Sequence, residues 1–151
     1  MVIYIIAALI IIAADQLSKI YIASNFSLGQ QKMLIDGVLS FTYVKNEGAA
    51  FGMLQGARVF FLIITAVVLV GVTVYLIKCR PESRLEKTAI TFIVGGAVGN
   101  CIDRALLGYV RDFIATEFMD FPVFNIADCF VCIGAALYIL YVFLQEKSQK
   151  E

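Results

Sequence analysis

Long apolar runs alternate with shorter polar segments along this chain, and four of the runs are long enough to cross a membrane. They cover residues of about 2–22, 59–77, 88–108 and 123–144. A helix of roughly 20 residues spans the ~30 Å of hydrocarbon in a bilayer, so the pattern predicts four transmembrane helices. Their up-and-down path leaves segments 23–57 and 109–122 on one side of the membrane, and segment 78–87 with both termini on the other.

The first apolar run could be mistaken for a secretory signal peptide, because residues 1–14 are uncharged and Ala13 and Ala14 are small. A signal peptide carries a basic residue before its apolar core, and none precedes this run. We therefore expect the run to remain as a helix of the mature protein.

The polar segment 23–57 contains the alternation of a β-strand. In LSFTYV (39–44) the larger apolar residues share one face. NEG (46–48) supplies turn formers, and AAFGML (49–54) is predicted as the second strand of a hairpin that pairs with the first. These features predict an all-α membrane protein with a single domain of residues 1–151. Its architecture is a four-transmembrane-helix bundle with a small β-hairpin or sheet platform at the membrane surface.

Composition agrees with a membrane protein, since 61% of the residues are hydrophobic and 16% are charged. Lys plus Arg and Asp plus Glu number 12 each, so net charge gives no reason to expect nucleic acid as a partner. The chain has no His, which removes the commonest general base and the commonest zinc ligand. Any catalysis must use other side chains.

Orientation follows from the basic residues. KCRPESRLEK (78–87) holds four Lys or Arg in ten residues, and the tail adds Lys147 and Lys150. Short loops dense in Lys and Arg tend to stay in the cytoplasm. We expect both termini to be cytoplasmic and the opposite, polar end of the bundle to be extracytoplasmic.

Polar residues late in the first and third helices and early in the fourth meet at that end. They are Asp15, Lys19, Asn100, Asp103, Arg104, Asn125 and Asp128. Asn46 and Asp112 of the two loops join them there. Gly95 and Gly99 have the GxxxG spacing that lets a neighbouring helix approach closely. A compact bundle with one polar pocket is predicted.

Asp112 and Asp128 are the strongest catalytic candidates. Two nearby carboxyl groups cannot both ionise easily, so such a pair holds one proton and supplies an acid and a base together. The pair can activate a water against a peptide carbonyl, as in aspartic proteases. Asn100, Arg104 and Asn125 carry the amide and guanidinium donors that orient carboxylates.

Other polar residues have more than one interpretation. Asp15 and Lys19 lie four residues apart on one helix face, either as a helix-end pair whose Lys reaches the interface or as substrate contacts. Asp103 with Arg104 is interpreted as a bundle link or pocket support rather than as a catalytic acid.

Loop and thiol residues are assigned simpler roles. EFMDFP (117–122), between the two aspartates, is interpreted as a lip over the cleft, and Glu117 and Asp120 as solvated acids. Cys129 and Cys132 are interpreted as packed thiols, because zinc would need two further ligands. Cys79 and Cys101 are isolated, and no required disulfide is expected.

Five short blocks resemble, in order, the signature of the lipoprotein signal peptidases, the type II prolipoprotein signal peptidases of bacteria. The blocks are DQLSK (15–19), NEGAAFG (46–52), GNCIDR (99–104), VRDF (110–113) and FNIAD (124–128). Each is weak alone, whereas all five in order are highly specific, and they extend over most of the chain.

The resemblance implies an intramembrane aspartic endopeptidase of the cell membrane. Such an enzyme removes the signal peptide of a prolipoprotein, cutting before a cysteine that carries a diacylglyceryl group. It implies Asp112 and Asp128 as catalytic residues, and a further set as supporting or substrate-binding residues. That set is Asn46, Gly48, Asn100, Asp103, Arg104, Asn125, Asp15 and Lys19.

The expected partners are a diacylglyceryl-modified prolipoprotein, membrane lipid and inhibitors of the globomycin kind, with no nucleic acid. We expect a monomer without metal or cofactor.

Two other classes of function stay open on the residues alone. A small four-helix protein can be a transporter or channel whose acids form an ion path. However, the polar groups here occupy one end only, and 59–77 has no charge. A non-catalytic factor that grips signal helices is the second alternative, and a pair of aspartates is not needed for binding alone.

Overall fold

The computed structural model of the protein describes residues 1–49 and 53–148, and it contains the four predicted helices. They are α1 (Val2–Asn25), α2 (Arg58–Cys79), α3 (Arg84–Leu106) and α4 (Ile126–Ser148). Each contains an apolar stretch long enough to cross a membrane. The predicted four-helix bundle with a small sheet is confirmed.

Several helix ends differ from the predicted ones, and local capping explains two of them. Helix α3 begins at Arg84 rather than at residue 88, because the Ser83 hydroxyl accepts a hydrogen bond from the Glu86 amide at 3.4 Å. It ends two residues before the predicted 108, and Gly108 follows with a φ of 87°.

The fourth helix begins at Ile126 rather than at 123. Residues before it are held in an extended path, since Phe124 exchanges main-chain hydrogen bonds with Ile114 at 2.8 and 3.0 Å. Helices α1 and α2 are each slightly longer than predicted.

The sheet is formed differently from the predicted hairpin. It has three antiparallel strands in the order β1 (Gln31–Ile35), β2 (Leu39–Asn46) and β3 (Val110–Thr116). The prediction of β2 as a strand is confirmed, but its hairpin partner is the segment before it, joined through a turn in which Gly37 has a φ of 69°. Half of the predicted return, residues 50–52 of 49–54, lies outside the described residues, and the other half belongs to no strand.

The third strand comes from the segment that was predicted as the 109–122 loop. Its residue Phe113 packs with Ile22 of α1 and Tyr43 of β2 in a buried apolar cluster. Since neighbouring residues of a strand point to opposite faces, Asp112 is directed away from this cluster. The sheet is thus seated on the end of α1 and presents one carboxylate to the other side.

Helix α3 lies in the centre of the bundle and contacts the other three helices. A Cβ on Gly95 would lie 3.0 Å from Ile11 of α1, and one on Gly96 would collide with the Ala127 carbonyl of α4. These glycines therefore allow the close helix packing that the GxxxG spacing predicts.

Helix α2 is the outermost helix and has no buried residue. It is tied to α3 near both ends, where the Tyr75 hydroxyl donates to Glu86 and Arg58 Nη2 donates to the Ala105 carbonyl at 2.6 Å. Between these two ties, α2 forms one wall of a cleft.

Candidate active site

A cleft of about 630 Å³ lies between α2, α3, α4 and the sheet, at the polar end of the bundle. Its polar lining consists mainly of predicted site residues: Asn46, Asn100, Arg104, Asp112 and Asp128. Its remaining walls are largely apolar, with Ala97 of α3 and Val131 and Ile133 of α4 among them. The structure therefore brings both predicted catalytic aspartates into one cavity.

Asp112 is 2% exposed and is held by two side-chain amides. Asn46 Nδ2 donates to its Oδ2 at 2.9 Å and Asn125 Nδ2 donates to its Oδ1 at 2.6 Å. No ion pair to this carboxyl is formed within the described residues. Burial, and next the negative charge of Asp128, raise the pKa of Asp112 to about 7, and the two amide hydrogen bonds act in the opposite direction.

Asp128 lies in the first turn of α4 and forms a reciprocal cap with Asn125. The main-chain N–H of Asn125 donates to Asp128 Oδ2 at 3.1 Å, and the main-chain N–H of Asp128 donates to Asn125 Oδ1 at 3.0 Å. The helix N-terminus also favours a negative charge at this position. The carboxylate is therefore stabilised at the start of the helix, only about 3 Å along its axis from Ile126.

Two asparagines connect the aspartates across the cleft. Asn100 Nδ2 donates to Asp128 Oδ1 at 2.7 Å. Asn125 Nδ2 donates both to Asp112 Oδ1 and, at 3.0 Å, to Asn100 Oδ1. Through these bonds α3, α4 and β3 set the positions of the two carboxyl groups jointly.

Arg104 lies in the same cleft and holds the chain that follows β2. Its Nη2 donates to the Gly48 carbonyl at 3.0 Å, and its guanidinium stacks 4.5 Å from the ring centre of Phe61 in α2. The Gly48 amide in turn donates to Asn46 Oδ1 at 2.9 Å. A Cβ at Gly48 would collide with the Met53 carbonyl, so a glycine is required for this close chain approach.

The remaining predicted residues, Asp15, Lys19 and Asp103, form a separate group together with Arg111, which was not predicted. We name these four residues the ion cluster. Lys19 Nζ lies 2.8 Å from Asp15 Oδ2 and 3.9 Å from Asp103 Oδ2, and Arg111 Nη2 lies 2.6 Å from Asp103 Oδ1. None of the four lines the cleft.

One interpretation of these residues is corrected by burial. The Lys19 side chain is 0% exposed, so it does not reach the interface. Asp103 pairs with Arg111 and not with its neighbour Arg104, because successive helix residues point in different directions.

The ion cluster also reaches α4, since the Ala127 amide donates to Asp15 Oδ1 at 3.0 Å.

Sequence reasoning missed Arg111 of the ion cluster and also Gln16, which is hydrogen-bonded to the cluster. Gln16 Nε2 donates to the Gly99 carbonyl at 3.0 Å and to Asp103 Oδ1 at 3.1 Å, and Arg111 donates to Gln16 Oε1 at 3.1 Å. Hydrogen bonding to Asp103 raises the pKa of Arg111. Their positions next to Asp15 and Asp112, inside two of the five blocks, were the available signal.

The loop 117–122 borders the cleft, where Phe121 and Pro122 line it. Glu117 and Asp120 are exposed, as expected for solvated acids. The Glu117 carboxylate also accepts a hydrogen bond from Gln31 at 2.7 Å, which ties the loop to β1.

Cys129 and Cys132 also line the cleft, and all four cysteines are free. Within residues 1–49 and 53–148, His, Cys, Asp and Glu form no group of three that is arranged for a metal ion. The polar groups that line the cleft are carboxyl, amide, guanidinium, hydroxyl and thiol groups.

Comparisons with known proteins identify the family of the chain. The family model of Peptidase_A8, signal peptidase (SPase) II, matches residues 7–144. The lipoprotein signal peptidase of Shouchella clausii is 47% identical over 146 residues, covering 96% of this chain and 95% of the relative. That of Enterococcus faecalis is 40% identical over 151 residues, covering 100% and 94%.

Two solved structures, each described as a bacterial membrane enzyme, have the same fold. One superimposes with a TM-score of 0.93 at 37% identity, covering 100% of this chain and 93% of its own. The other has a TM-score of 0.87 at 38% identity, covering 94% and 93%. The chain belongs to the signal peptidase II family.

Proposed function

We propose that this multi-pass membrane peptidase cleaves lipoprotein precursors by an aspartic mechanism in which Asp112 and Asp128 form the catalytic pair. The observation that carries the proposal is the placement of two carboxyl groups in one cleft, held only by amide donors. No described cation pairs with either of them. A carboxyl without a cation partner can gain and lose a proton, as acid–base catalysis requires.

The two aspartates have different environments, which assigns them different starting roles. Because the pKa of Asp112 is raised to about 7, Asp112 is the protonated partner. Asp128 accepts hydrogen bonds from the Asn100 side chain and from the main-chain N–H of Asn125 at a helix N-terminus, and we assign it the role of the base.

In the first step, Asp128 takes a proton from water while the water oxygen attacks the scissile carbonyl carbon. Asp112 gives its proton to the carbonyl oxygen. The C–N bond of the tetrahedral intermediate then breaks as the leaving nitrogen takes the proton that Asp128 had received. Asp112 takes back a proton from one of the two hydroxyl groups of the intermediate, which yields the new carboxyl terminus and restores both aspartates to their starting states.

The apolar walls of the cleft suit the proposed substrate, a prolipoprotein whose cysteine carries a diacylglyceryl group. Ala97 of α3 and Val131 and Ile133 of α4 offer an apolar surface in the same cleft as the aspartates. A signal helix and acyl chains in the bilayer would contact these walls while the scissile bond lies next to the aspartates. The cut falls immediately before the lipidated cysteine.

The supporting residues have roles that follow from their contacts. Asn46, Asn100 and Asn125 orient the two carboxyl groups, whereas Arg104 and Gly48 fix the chain after β2 at the border of the cleft. A channel or transporter is less well supported, because the cleft lies at one end of the bundle and α2 has no charge between Val59 and Ile77.

The dense basic residues of 78–87 favour a cytoplasmic position for that end of the bundle. The cleft then opens near the extracytoplasmic face.

We propose that the protein works as a monomer in contact with membrane lipid and that cyclic depsipeptides of the globomycin kind occupy the cleft. Light scattering in detergent tests the first proposal. Competition with substrate, with and without the Asp112→Asn change, tests the second.

The central experiment compares Asp112→Asn and Asp128→Asn with the matched control Asp120→Asn, which alters an exposed aspartate outside the cleft. Each protein is purified in detergent and incubated with a diacylglyceryl-modified prolipoprotein, and mass spectrometry locates the cut. Both cleft variants should lose cleavage and the control should retain it. Normal turnover by either cleft variant would overturn the aspartic mechanism, and equal cleavage of the unmodified precursor would overturn the substrate class.

A further inference from the structure

Lys19 is connected to the cleft although it does not line it. Its ammonium group is fully buried, with Asp15 Oδ2 and Asn100 Oδ1 each 2.8 Å away and Asp103 Oδ2 at 3.9 Å. Asp15 and Asp103 already neutralise the charge. The contact with Asn100 therefore requires a different explanation, because Asn100 reaches into the cleft and contacts Asp128.

The ammonium group decides which way the Asn100 amide faces. A lysine has only donors, so the Asn100 atom that it contacts has to be the oxygen. The amide nitrogen then faces Asp128 Oδ1 at 2.7 Å. A flipped amide would place its NH₂ group against the ammonium and its oxygen against the carboxylate, which is unfavourable at both ends.

Asn125 supports the same orientation through a neutral bond of 3.0 Å to Asn100 Oδ1. A charge-assisted hydrogen bond is roughly twice as strong as a neutral one, so the Lys19 bond is the stronger constraint. Two bonds from two different helices thus converge on one amide oxygen.

Lys19 also acts on the cleft by its charge. Its positive charge lowers the pKa of Asp112, against the larger effects of burial and of Asp128. The charged groups that act on Asp112 are Asp128 on α4, Lys19 on α1 and Arg104 on α3. Those paired with Lys19 are Asp15 on α1 and Asp103 on α3, and Asp103 also pairs with Arg111 on β3.

We propose that Lys19 is a positioning residue for the peptidase reaction, which fixes the Asn100 amide so that Asn100 holds the Asp128 carboxylate in its reactive position. The inference rests on the proposed function, because it requires Asp128 to act in catalysis. It replaces a substrate-contact role for Lys19 with an indirect one.

The test compares Lys19→Met with Lys19→Met/Asp15→Asn, in which the carboxylate left without its cation is neutralised and still offers an oxygen to the Ala127 amide. The matched control is Arg111→Met, which removes a cation from the same ion cluster without a contact to Asn100. For each protein, kcat, KM and the dependence of kcat on pH are measured with lipidated prolipoprotein.

For both Lys19 variants kcat should fall about tenfold or more with KM within about twofold of the parent, because only the geometry of the reacting groups changes. In Lys19→Met the alkaline limit of activity should move to higher pH, since loss of the positive charge raises the pKa of Asp112. In the Asn100→Ala background, Lys19→Met should have little additional effect on kcat. Arg111→Met should leave the alkaline limit in place.

A higher KM with unchanged kcat would overturn the inference in favour of a substrate contact. Unchanged kcat and pH dependence, or a double variant that does not fold, would overturn it in favour of a purely structural role. Asp112→Asn and Asp128→Asn are measured in parallel. If they are inactive while the Lys19 variants are normal, only this inference fails, whereas normal cleavage by either of them refutes the proposed function itself.

Discussion

Two groups of carboxyl groups lie next to each other in the bundle, connected through Asn100, and they are stabilised in different ways. In the ion cluster, Asp15 and Asp103 each pair with a cation at 2.8 Å or less. In the cleft, Asp112 and Asp128 receive hydrogen bonds only from amides among the described contacts.

The difference has a chemical consequence. A cation partner favours the ionised form of a carboxyl group. Where only amides donate hydrogen bonds, burial and a neighbouring negative charge have more effect and favour the protonated form. The ion cluster is therefore suited to hold α1, α3, α4 and β3 together. The cleft aspartates are suited to exchange protons. The following predictions test this division, starting with the largest effect.

Neutralising a cleft aspartate should abolish function without unfolding the protein. Acid–base catalysis contributes typically about 10²–10⁴-fold to a rate, so Asp128→Asn should lower kcat by at least that factor. Asn retains the shape of the side chain, and thermal unfolding in detergent should be close to that of the parent. A large loss of thermal stability with substantial remaining activity would reverse the roles assigned to the two groups.

Neutralising an ion-cluster aspartate should have the opposite result. Asp103→Asn leaves Arg111 and Lys19 without a shared carboxylate, and loss of one partner of a buried ion pair costs about 3–5 kcal/mol. Denaturant or thermal unfolding should reveal this loss, and kcat per folded molecule should fall far less than in Asp128→Asn. Adding Arg111→Met should restore part of the stability, and no recovery in that double variant would argue against the pair as the cause.

Alanine substitutions at two glycines of α3 should affect the cleft and the ion cluster differently. A Cβ at Gly96 would collide with the Ala127 carbonyl in the first turn of α4, whereas one at Gly99 would lie 2.6 Å from Asp15 Oδ2. Overpacking of this kind costs about 1–3 kcal/mol, so both alanine variants should be less stable. Gly96→Ala should also lower kcat, because it displaces the turn that carries Asp128. Equal kcat in the two variants would contradict this difference.

The smallest expected effect is a shift in pH dependence. Below a pKa of about 7, Asp112 is protonated and the pair contains one acid and one base. As the pH rises through that value, Asp112 loses its proton and kcat should fall. Asn46 donates a hydrogen bond that lowers the pKa of Asp112, so Asn46→Ala should move the alkaline limit to higher pH. A shift to lower pH, or none, would contradict the assignment of Asp112 as the acid.

Much of the architecture follows from local pattern. Helix α2 was predicted within two residues at either end, because its apolar run is bounded by Arg58 and Lys78. The prediction that Asn100, Asp112 and Asp128 lie at the same end of the bundle followed from the number of helices and the direction of the chain alone. The pairing of β2 with β1 and β3 did not, since an alternating strand carries no information about its partners.

The sequence by itself determined a membrane bundle, its polar end and the two aspartates that meet there, because apolar length and chain direction are properties of the chain in order. Only the tertiary structure decided that Lys19 is buried, that Asp103 pairs with Arg111, and that Asn100 and Asn125 connect the two carboxyl groups. Those contacts join different elements: Lys19 of α1 contacts Asn100 of α3, Asp103 of α3 contacts Arg111 of β3, and Asn100 contacts Asp128 of α4. Their geometry depends on how closely the helices pack, which the glycines of α3 permit but no local pattern specifies.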